Sequence, residues 1–245
     1  MDRLWTKSFI LITAGMFFLF TAFYALFPTL PLFIKQIGGN EAQVGLAMGA
    51  FMLTSVVFRP FVGGLLDRFG RRPFIVGGLL LFAVAMYMYN WIGGITVLLA
   101  LRILHGVSWA FSTTAILTAV TDMIPAARRG EGMGWFSMSM TLAMAVGPLF
   151  GLWVTQNLSY DSLFLIGVGL SATALFLMWG AKMPFQPKPG VRKIEFFEKT
   201  VLPVTVSIFF YFSLMGALSA LFRCLLNRSR SILAHSFWST PQHLS

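Results

Sequence analysis

Long apolar runs separated by short polar loops constrain the fold of this chain more than any other feature. Seven such runs are present, at residues 8–34, 42–66, 73–91, 95–121, 133–156, 162–181 and 200–222. A helix of about 20 residues crosses the bilayer core, because each residue adds about 1.5 Å. The sequence therefore predicts an all-α, polytopic membrane protein whose first helix is too long to be a cleaved signal peptide.

Composition supports a membrane protein and argues against several other classes. The chain is 57% hydrophobic and 11% charged, whereas about a quarter of the residues of a soluble domain are charged. Its net charge of +10 would suggest nucleic-acid binding in a soluble protein, but here the basic residues lie in short loops. A single cysteine, Cys224, and three scattered histidines give no disulfide framework and no metal site. No nucleophile is paired with a base, so we expect no catalytic residue, no enzyme activity and no cofactor.

The basic residues alternate between the two sides of the predicted membrane. Two lysines or arginines precede the first run, and three, two and five lie in the loops after the second, fourth and sixth runs. The other loops between the first six runs hold only Lys35. Because positive loops stay in the cytoplasm, this asymmetry predicts a cytoplasmic amino terminus in the inner membrane.

The loop between the second and third runs has a specific pattern of charges and glycines. Its key residues are Gly63, Asp67, Arg68, Gly70, Arg71 and Arg72. We interpret this stretch as a cytoplasmic hairpin. The pattern resembles the signature loop of the major facilitator superfamily of secondary transporters. This resemblance implies two six-helix bundles, each a pair of inverted three-helix repeats, joined by a cytoplasmic linker.

The resemblance also suggests how the chain is divided. We expect a six-helix transporter bundle at 1–181, a cytoplasmic linker at 182–199 and the first helix of an incomplete second bundle at 200–222. The polar tail at 223–245 carries arginines where the topology predicts the outer face, against the charge rule. We expect this tail to be a non-native continuation of a truncated chain; a re-entrant or surface-lying end is the alternative.

Several charged residues of the signature loop have roles that the resemblance implies. Asp67 would act as a latch against a helix of the second bundle. Arg71 would pair with an acidic residue at the inner end of the fourth helix, a position that Asp122 matches. A charge-assisted hydrogen bond between them would control the conformational state. The alternative is that Arg68, Arg71 and Arg72 only anchor the topology.

Arg102 stands well inside the fourth apolar run, where an arginine costs about 2.5 to 3.5 kcal/mol on insertion scales. We expect it to face a water-filled cavity or a partner, with snorkelling to the outer face as the alternative. Its surroundings resemble the fourth-helix motif of the superfamily, whose arginine is linked to proton coupling. Together with His105 and Gly106 it forms the candidate cavity and coupling site, although His105 could be only a packed polar residue.

The fifth run contains Gly147, Pro148 and Gly151, a pattern similar to a motif associated with antiporters of this superfamily. The match is partial, because Ala143 and Leu152 replace two of the motif's glycines. An ordinary packing kink at the proline explains the same residues.

These features together predict a secondary active transporter of the major facilitator type, with proton-coupled efflux of small molecules or drugs as its activity. Its expected partners are the lipid bilayer, a small-molecule substrate, protons and a complementary second bundle, but not nucleic acid. No acidic residue lies inside a run, so the sequence identifies no proton carrier. Two alternatives stay open: a non-functional fragment or half-module that needs a partner bundle, and a uniporter for sugars or metabolites.

Overall fold

The computed structural model describes residues 4–183, which form six long helices joined by short turns. In chain order the helices are α1 (Lys7–Gln36), α2 (Glu41–Phe69), α3 (Arg72–Met88), α4 (Ile95–Met123), α5 (Arg129–Asn157) and α6 (Tyr160–Trp179). All six are long and apolar enough to cross a membrane, α3 together with the short 3-10 turn Tyr89–Trp91 that follows it. The described range contains no β-strand, so the prediction of an all-α polytopic protein is confirmed.

The helices begin and end within about one helical turn of the first six predicted runs. The predicted seventh helix at 200–222 and the tail at 223–245 lie outside the described residues, as does the linker at 182–199 apart from its first two positions. These three predictions, and the boundary of the bundle at 181, stay predictions.

Local hydrogen bonds fix where several helices start. At the start of α2, Asn40 and Gln43 each bond the other's backbone amide through their side chains, both at 2.9 Å. At the start of α6, Ser159 Oγ accepts a hydrogen bond of 3.1 Å from the amide of Ser162. Such caps satisfy backbone amides that have no partner inside the helix, so these turns follow directly from the local sequence.

The hairpin after α2 is shorter than the sequence suggested. The predicted runs leave residues 67–72 between the second and third spans, but α2 continues through Phe69, and only Gly70 and Arg71 connect it to α3. Gly70 has a φ of 87°, in the left-handed region that glycine adopts without strain, and this residue ends the helix. Asp67, Arg68 and Arg72 therefore lie on helix ends, and Arg71 lies in the short turn between the two helices.

The helix contacts have an internal symmetry. Helix α1 packs mainly on α5 and α6, α4 packs mainly on α2 and α3, and α3 packs on α6. Exchanging the first three helices with the last three leaves this set of contacts unchanged. Helices that exchange in this way, such as α1 and α4, are three membrane crossings apart, so they run in opposite directions. The arrangement is therefore that of two interleaved inverted repeats.

The two ends of the bundle differ in charge. We call the end with the α2–α3 and α4–α5 turns the basic end, because both turns are rich in arginine.

Helices α1 and α4 are the most enclosed of the six. Half of the residues in their most apolar 18-residue segments are buried, against 17% for α2 and 22% for α5. Large apolar faces of α2 and α5 are consequently exposed.

Candidate functional site

Arg71 joins the ends of α2 and α4 at the basic end. Its Nε lies 3.0 Å from Asp122 Oδ2, and its Nη2 lies 3.7 Å from Asp67 Oδ1. Its Nη1 also donates a hydrogen bond of 3.3 Å to the carbonyl oxygen of Leu66. The Arg71 side chain is only 11% exposed, whereas those of Asp67 and Asp122 are 38% and 43% exposed. We call Asp67, Arg71 and Asp122 the charge cluster; it is a largely enclosed cation between two carboxylates that water reaches.

The other residues of the signature pattern have separate contacts. The Arg68 guanidinium lies 5.1 Å from the centre of the Phe69 ring. Arg72 donates a hydrogen bond of 3.2 Å to the carbonyl oxygen of Trp179, and its guanidinium lies 5.4 Å from the centre of the Trp179 ring. These contacts connect α3 to α6. A Cβ atom on Gly63 would meet no atom within 4 Å. The structure therefore brings Asp67, Arg71 and Asp122 together, but not Arg68, Arg72 or Gly63.

A cleft of about 230 Å³ opens beside the charge cluster. It lies between the α2–α3 turn and the end of α4, and its lining includes Phe69, Gly70, Arg71, Arg72, Ala119 and Asp122. Water can therefore reach the Asp122 carboxylate from this side, which weakens its attraction to Arg71 relative to a dry pair.

Arg102 is enclosed within the bundle, with 3% of its surface exposed. Its Nε donates to the carbonyl oxygen of Ala47 at 3.1 Å, its Nη1 to the Tyr89 hydroxyl at 3.4 Å and its Nη2 to Met48 Sδ at 3.4 Å. The guanidinium also lies 4.4 Å from the centre of the Phe51 ring, whose electron-rich face attracts a cation.

Of the sequence expectations for Arg102, this placement fits the one of a partner and not the two that concern solvent. The guanidinium neither lines a water-filled cavity nor reaches the outer surface; it contacts α2 and the turn after α3. The physical reason is that a backbone carbonyl, a phenol and an aromatic face together replace part of its hydration. Among the described residues, no ion pair includes Arg102.

His105 and Gly106 lie one turn further along α4. His105 is fully buried, and its Nδ1 is 3.1 Å from the Tyr89 hydroxyl. A Cβ atom on Gly106 would come within 2.6 Å of the Phe51 carbonyl oxygen, so this glycine permits the close contact of α4 with α2. The three predicted residues Arg102, His105 and Gly106 therefore face the helix interfaces inside the bundle.

The glycine–proline motif of α5 lies against α1. A Cβ atom on Gly147 would come within 2.6 Å of Tyr24 Cβ, and one on Gly151 would overlap the backbone of Ala25. Pro148 lies between them, and α5 continues through it without a break. In this structure the motif lies where the backbones of α5 and α1 approach closely, in agreement with its packing interpretation.

Two features of the bundle were not singled out by the sequence analysis. One is Tyr89, which contacts both Arg102 and His105. The other is a group of stacked rings that we call the aromatic cluster, formed by Phe20, Phe23, Phe51 and Trp109. Phe23 stacks on Trp109 with ring centres 4.2 Å apart and on Phe51 at 5.4 Å, and Phe20 lies 5.0 Å from Trp109. With 26 phenylalanines in the chain, no sequence signal distinguishes these rings from lipid-facing ones.

The described residues contain no group of histidine, cysteine or acidic side chains that could hold a metal ion. Acidic side chains away from the charge cluster also lie near helix ends. Glu131 forms a two-point ion pair with Arg128, at 2.7 and 2.8 Å, and Glu41 lies 2.6 Å from Lys35.

Comparisons with known proteins agree with this architecture. Residues 12–238 match the family model of the Major Facilitator Superfamily. The human organic anion transporter MFSD10 (TETRAN) has a similar solved structure, with a TM-score of 0.60 at 20% identity; the match covers 73% of this chain and 47% of that one. At this identity the likeness shows a shared fold.

Curated relatives include two proteins of Staphylococcus aureus. The staphylopine export protein is 31% identical over 146 residues, which cover 59% of this chain and 36% of that protein. The quinolone resistance protein NorA is 26% identical over 145 residues, which cover 59% of this chain and 37% of that protein. The matched part of the chain thus spans little more than a third of these relatives. Its family consists of transporters and not of enzymes, as the sequence predicted. With most of its length matching the family model and, in its described part, six membrane-spanning helices in inverted repeats, this chain belongs to the major facilitator superfamily.

Proposed function

We propose that this chain is part of a proton-coupled efflux transporter that moves small molecules, including drugs, across the cytoplasmic membrane. The observation that carries this function is the charge cluster, in which Arg71 links the ends of α2 and α4 through two partly exposed carboxylates. Ion pairs that water reaches contribute about 0 to 1 kcal/mol, so this one can open and re-form during a transport cycle. The names of the relatives, which specify staphylopine export and quinolone resistance, support efflux as the direction.

A second bundle is the partner that the exposed faces of α2 and α5 favour. On α2, Gly45, Gly49 and Gly63 have open space around their Cα atoms, and Arg59 is exposed well away from both ends of the helix. Small residues allow close contact between helices, whereas an arginine among lipid tails is costly. Alternating access also needs two bundles that move against each other around a site at the midplane. A half-module that works only with a further bundle is therefore the second candidate.

The aromatic cluster supports small amphiphilic molecules as the substrate class. Phe20 and Phe23 are half-buried on α1, and the half-buried Tyr24 lies beside them. Aromatic rings bind apolar rings by stacking and bind organic cations through their electron-rich faces. A surface of this kind has few fixed hydrogen-bonding groups, so it accepts molecules of different shapes.

For proton coupling, the charge cluster offers Asp67 and Asp122, two partly exposed carboxylates in contact with the largely enclosed Arg71. Arg102 would contribute by fixing α2 and the end of α3 against α4. Replacing Arg102 with alanine is therefore expected to abolish transport and to leave membrane insertion intact.

Cysteine labelling tests the proposed orientation. In a Cys224→Ser background, Phe69→Cys adds a thiol at the exposed basic end, and Trp91→Cys adds one at the opposite end. A membrane-impermeant maleimide should label position 69 only in inside-out vesicles and position 91 only in intact cells. The reverse pattern would overturn the cytoplasmic placement of the amino terminus and of the hairpin.

Transport is tested with the 245-residue chain in liposomes, with ethidium as the probe. Ethidium carries a permanent charge, so a pH gradient alone does not trap it. Vesicles with an acidic interior should accumulate the dye, and nigericin, which collapses the gradient, should prevent this. Accumulation that ignores the gradient would exclude antiport and favour a uniporter. Accumulation only when the second half of NorA is added to the membrane would establish a half-module, and no accumulation in either case would refute transport of this probe class.

A further inference from the structure

We propose that Tyr89 and His105 are positioning residues for Arg102 and that they act through one directional hydrogen-bond chain. The chain runs from the Arg102 guanidinium to the Tyr89 hydroxyl and from that hydroxyl to His105 Nδ1. Its consequence for function rests on the transport activity proposed above, whereas the direction of its hydrogen bonds does not.

The direction follows from counting donors and acceptors. Arginine can only donate, so the Tyr89 oxygen is the acceptor in its 3.4 Å contact with Arg102 Nη1. Tyr89 is 1% exposed, and His105 Nδ1 at 3.1 Å is its other hydroxyl contact in the described part of the chain. If Nδ1 carried a proton, the Tyr89 hydroxyl hydrogen would be buried without an acceptor, which is costly. The hydroxyl therefore donates to Nδ1.

This direction fixes the protonation of His105. An imidazole that accepts at Nδ1 is neutral and carries its proton on Nε2. Within residues 4–183, Nε2 has no hydrogen-bond partner. The rings of Phe82 and Phe51 stand edge-to-face with the imidazole, at centre distances of 4.6 and 5.3 Å, so its surroundings are aromatic. His105 thus serves as a fixed acceptor in this conformation and not as a proton carrier.

The position of Tyr89 is set from two sides. It begins the 3-10 turn that follows α3, and its ring stacks on Phe164 of α6 at 5.1 Å. Once His105 takes the hydroxyl hydrogen, the oxygen lone pairs point toward Arg102. Without that constraint the guanidinium would retain only its contacts with Ala47, Met48 and the Phe51 ring, all of which are on α2. Tyr89 is therefore the contact that connects Arg102 to α3 and α6.

Two pairs of variants separate this role from general packing. Tyr89→Phe removes only the hydroxyl, and Tyr87→Phe is its control in the last turn of α3, 49% exposed and away from the hydrogen-bond chain. At position 105, asparagine places an acceptor oxygen close to the Nδ1 position, whereas glutamine places it close to Nε2. Loss of a hydrogen bond to a charged group reduces an equilibrium constant about tenfold or more. We therefore expect Tyr89→Phe to lower the maximal ethidium rate about tenfold relative to Tyr87→Phe, at a similar half-saturating concentration, and His105→Asn to be about tenfold faster than His105→Gln.

Nitrogen-15 NMR of histidine-labelled protein in nanodiscs tests the chain without any transport. The signal that His105→Asn removes should be that of a neutral ring protonated on Nε2, and its Nδ1 resonance should shift in Tyr89→Phe. A ring protonated on Nδ1 or on both nitrogens, or one that Tyr89→Phe leaves unchanged, would overturn the inference. So would equal transport by Tyr89→Phe and Tyr87→Phe, or by the two His105 variants, if the unaltered chain transports ethidium. If the unaltered chain transports nothing, either alone or with the second half of NorA, the proposed function fails, and the NMR result still decides on the hydrogen bonds.

Discussion

Changing Gly151 to alanine is expected to destabilise the bundle through the contact of α5 with α1. An added Cβ atom would overlap the Ala25 carbonyl oxygen, and the carbonyl carbon and Cα of Ala25 would both lie 2.8 Å away. All three obstructing atoms belong to the backbone, so no side-chain rotation relieves the overlap. Because carbon atoms pack at about 3.5 to 4.0 Å, the two helices must separate by about 0.7 Å or more at this point.

The expected size of the effect comes from two opposing terms. Forcing an extra methyl group into a packed interface costs about 1 to 3 kcal/mol. Replacing glycine by alanine inside a helix returns about 0.8 to 1 kcal/mol. The two terms leave a net loss of about 0 to 2 kcal/mol, and we expect the upper half of that range because the obstructing atoms belong to the backbone. For a chain of this length, each kcal/mol lowers the unfolding midpoint by about 2 to 4 °C.

Gly134→Ala is the matched control on the same helix. A Cβ atom there would meet nothing within 4 Å, so only the favourable helix term applies, and its midpoint should equal or exceed that of the unaltered protein. The unfolding midpoints of the unaltered protein and of both variants are measured in detergent, from the fraction of monodisperse protein that remains after heating to each temperature. A Gly151→Ala protein that melts with the Gly134→Ala protein would refute the close α1–α5 contact.

Three further predictions concern charges and close contacts elsewhere in the bundle. Exchanging Arg71 and Asp122 in one double variant should restore part of the stability that each single charge reversal removes. We expect a coupling free energy of about 1 kcal/mol in a double-mutant cycle. A coupling of zero would mean that the ion pair does not form in the membrane. Gly106→Val should lower the unfolding midpoint, because its Cβ would come within 2.6 Å of a backbone oxygen of α2, and an unchanged midpoint would contradict that contact. Lys35→Ala should leave the midpoint unchanged, since its 2.6 Å ion pair is exposed, and a measurable drop would show that this pair stabilises the α1–α2 turn.

The spans and their order were predictable because bilayer thickness acts on short stretches of sequence. An apolar run either has about 20 residues or does not, and no distant partner changes that requirement. Helix limits near glycines were less predictable. The second run was predicted to end at residue 66, because the glycines and charges around it suggested a turn. In the structure α2 stays helical through Phe69 and ends at Gly70, where φ is positive.

The partners of Arg102 were not predictable from the sequence for a different reason. The sequence indicated that a guanidinium inside an apolar run needs either water or a partner. It did not indicate which, because Ala47 and Tyr89 lie 55 and 13 residues away along the chain. Their approach depends on the packing of α2 and α3 against α4, and that packing is a property of the whole bundle. The pairing of Arg71 with Asp122 was suggested only by resemblance to a family.

Glycines show why apolar residues do not predict which helix faces pack inside a membrane bundle. A Cβ atom on Gly147 or Gly151 would collide with α1, whereas one on Gly45 or Gly49, with the same four-residue spacing, would meet nothing within 4 Å. In a soluble helix the apolar face marks the core, but lipid is as apolar as the core, so both faces of a membrane helix look alike. What distinguishes the faces is the cost of exposing polar groups to lipid.

Helix α4 illustrates this rule. Its polar residues His105, Ser108 and Ser112 recur at helical spacing, and all three are completely buried. Each serine hydroxyl also bonds a carbonyl oxygen of the preceding turn, Ser108 at 2.7 Å and Ser112 at 2.8 Å, so neither needs a partner on another helix. Their inward position therefore reflects the exclusion of polar atoms from lipid more than any specific contact. In a chain of this kind, the periodicity of polar residues marks the packed face, as the periodicity of apolar residues does in water.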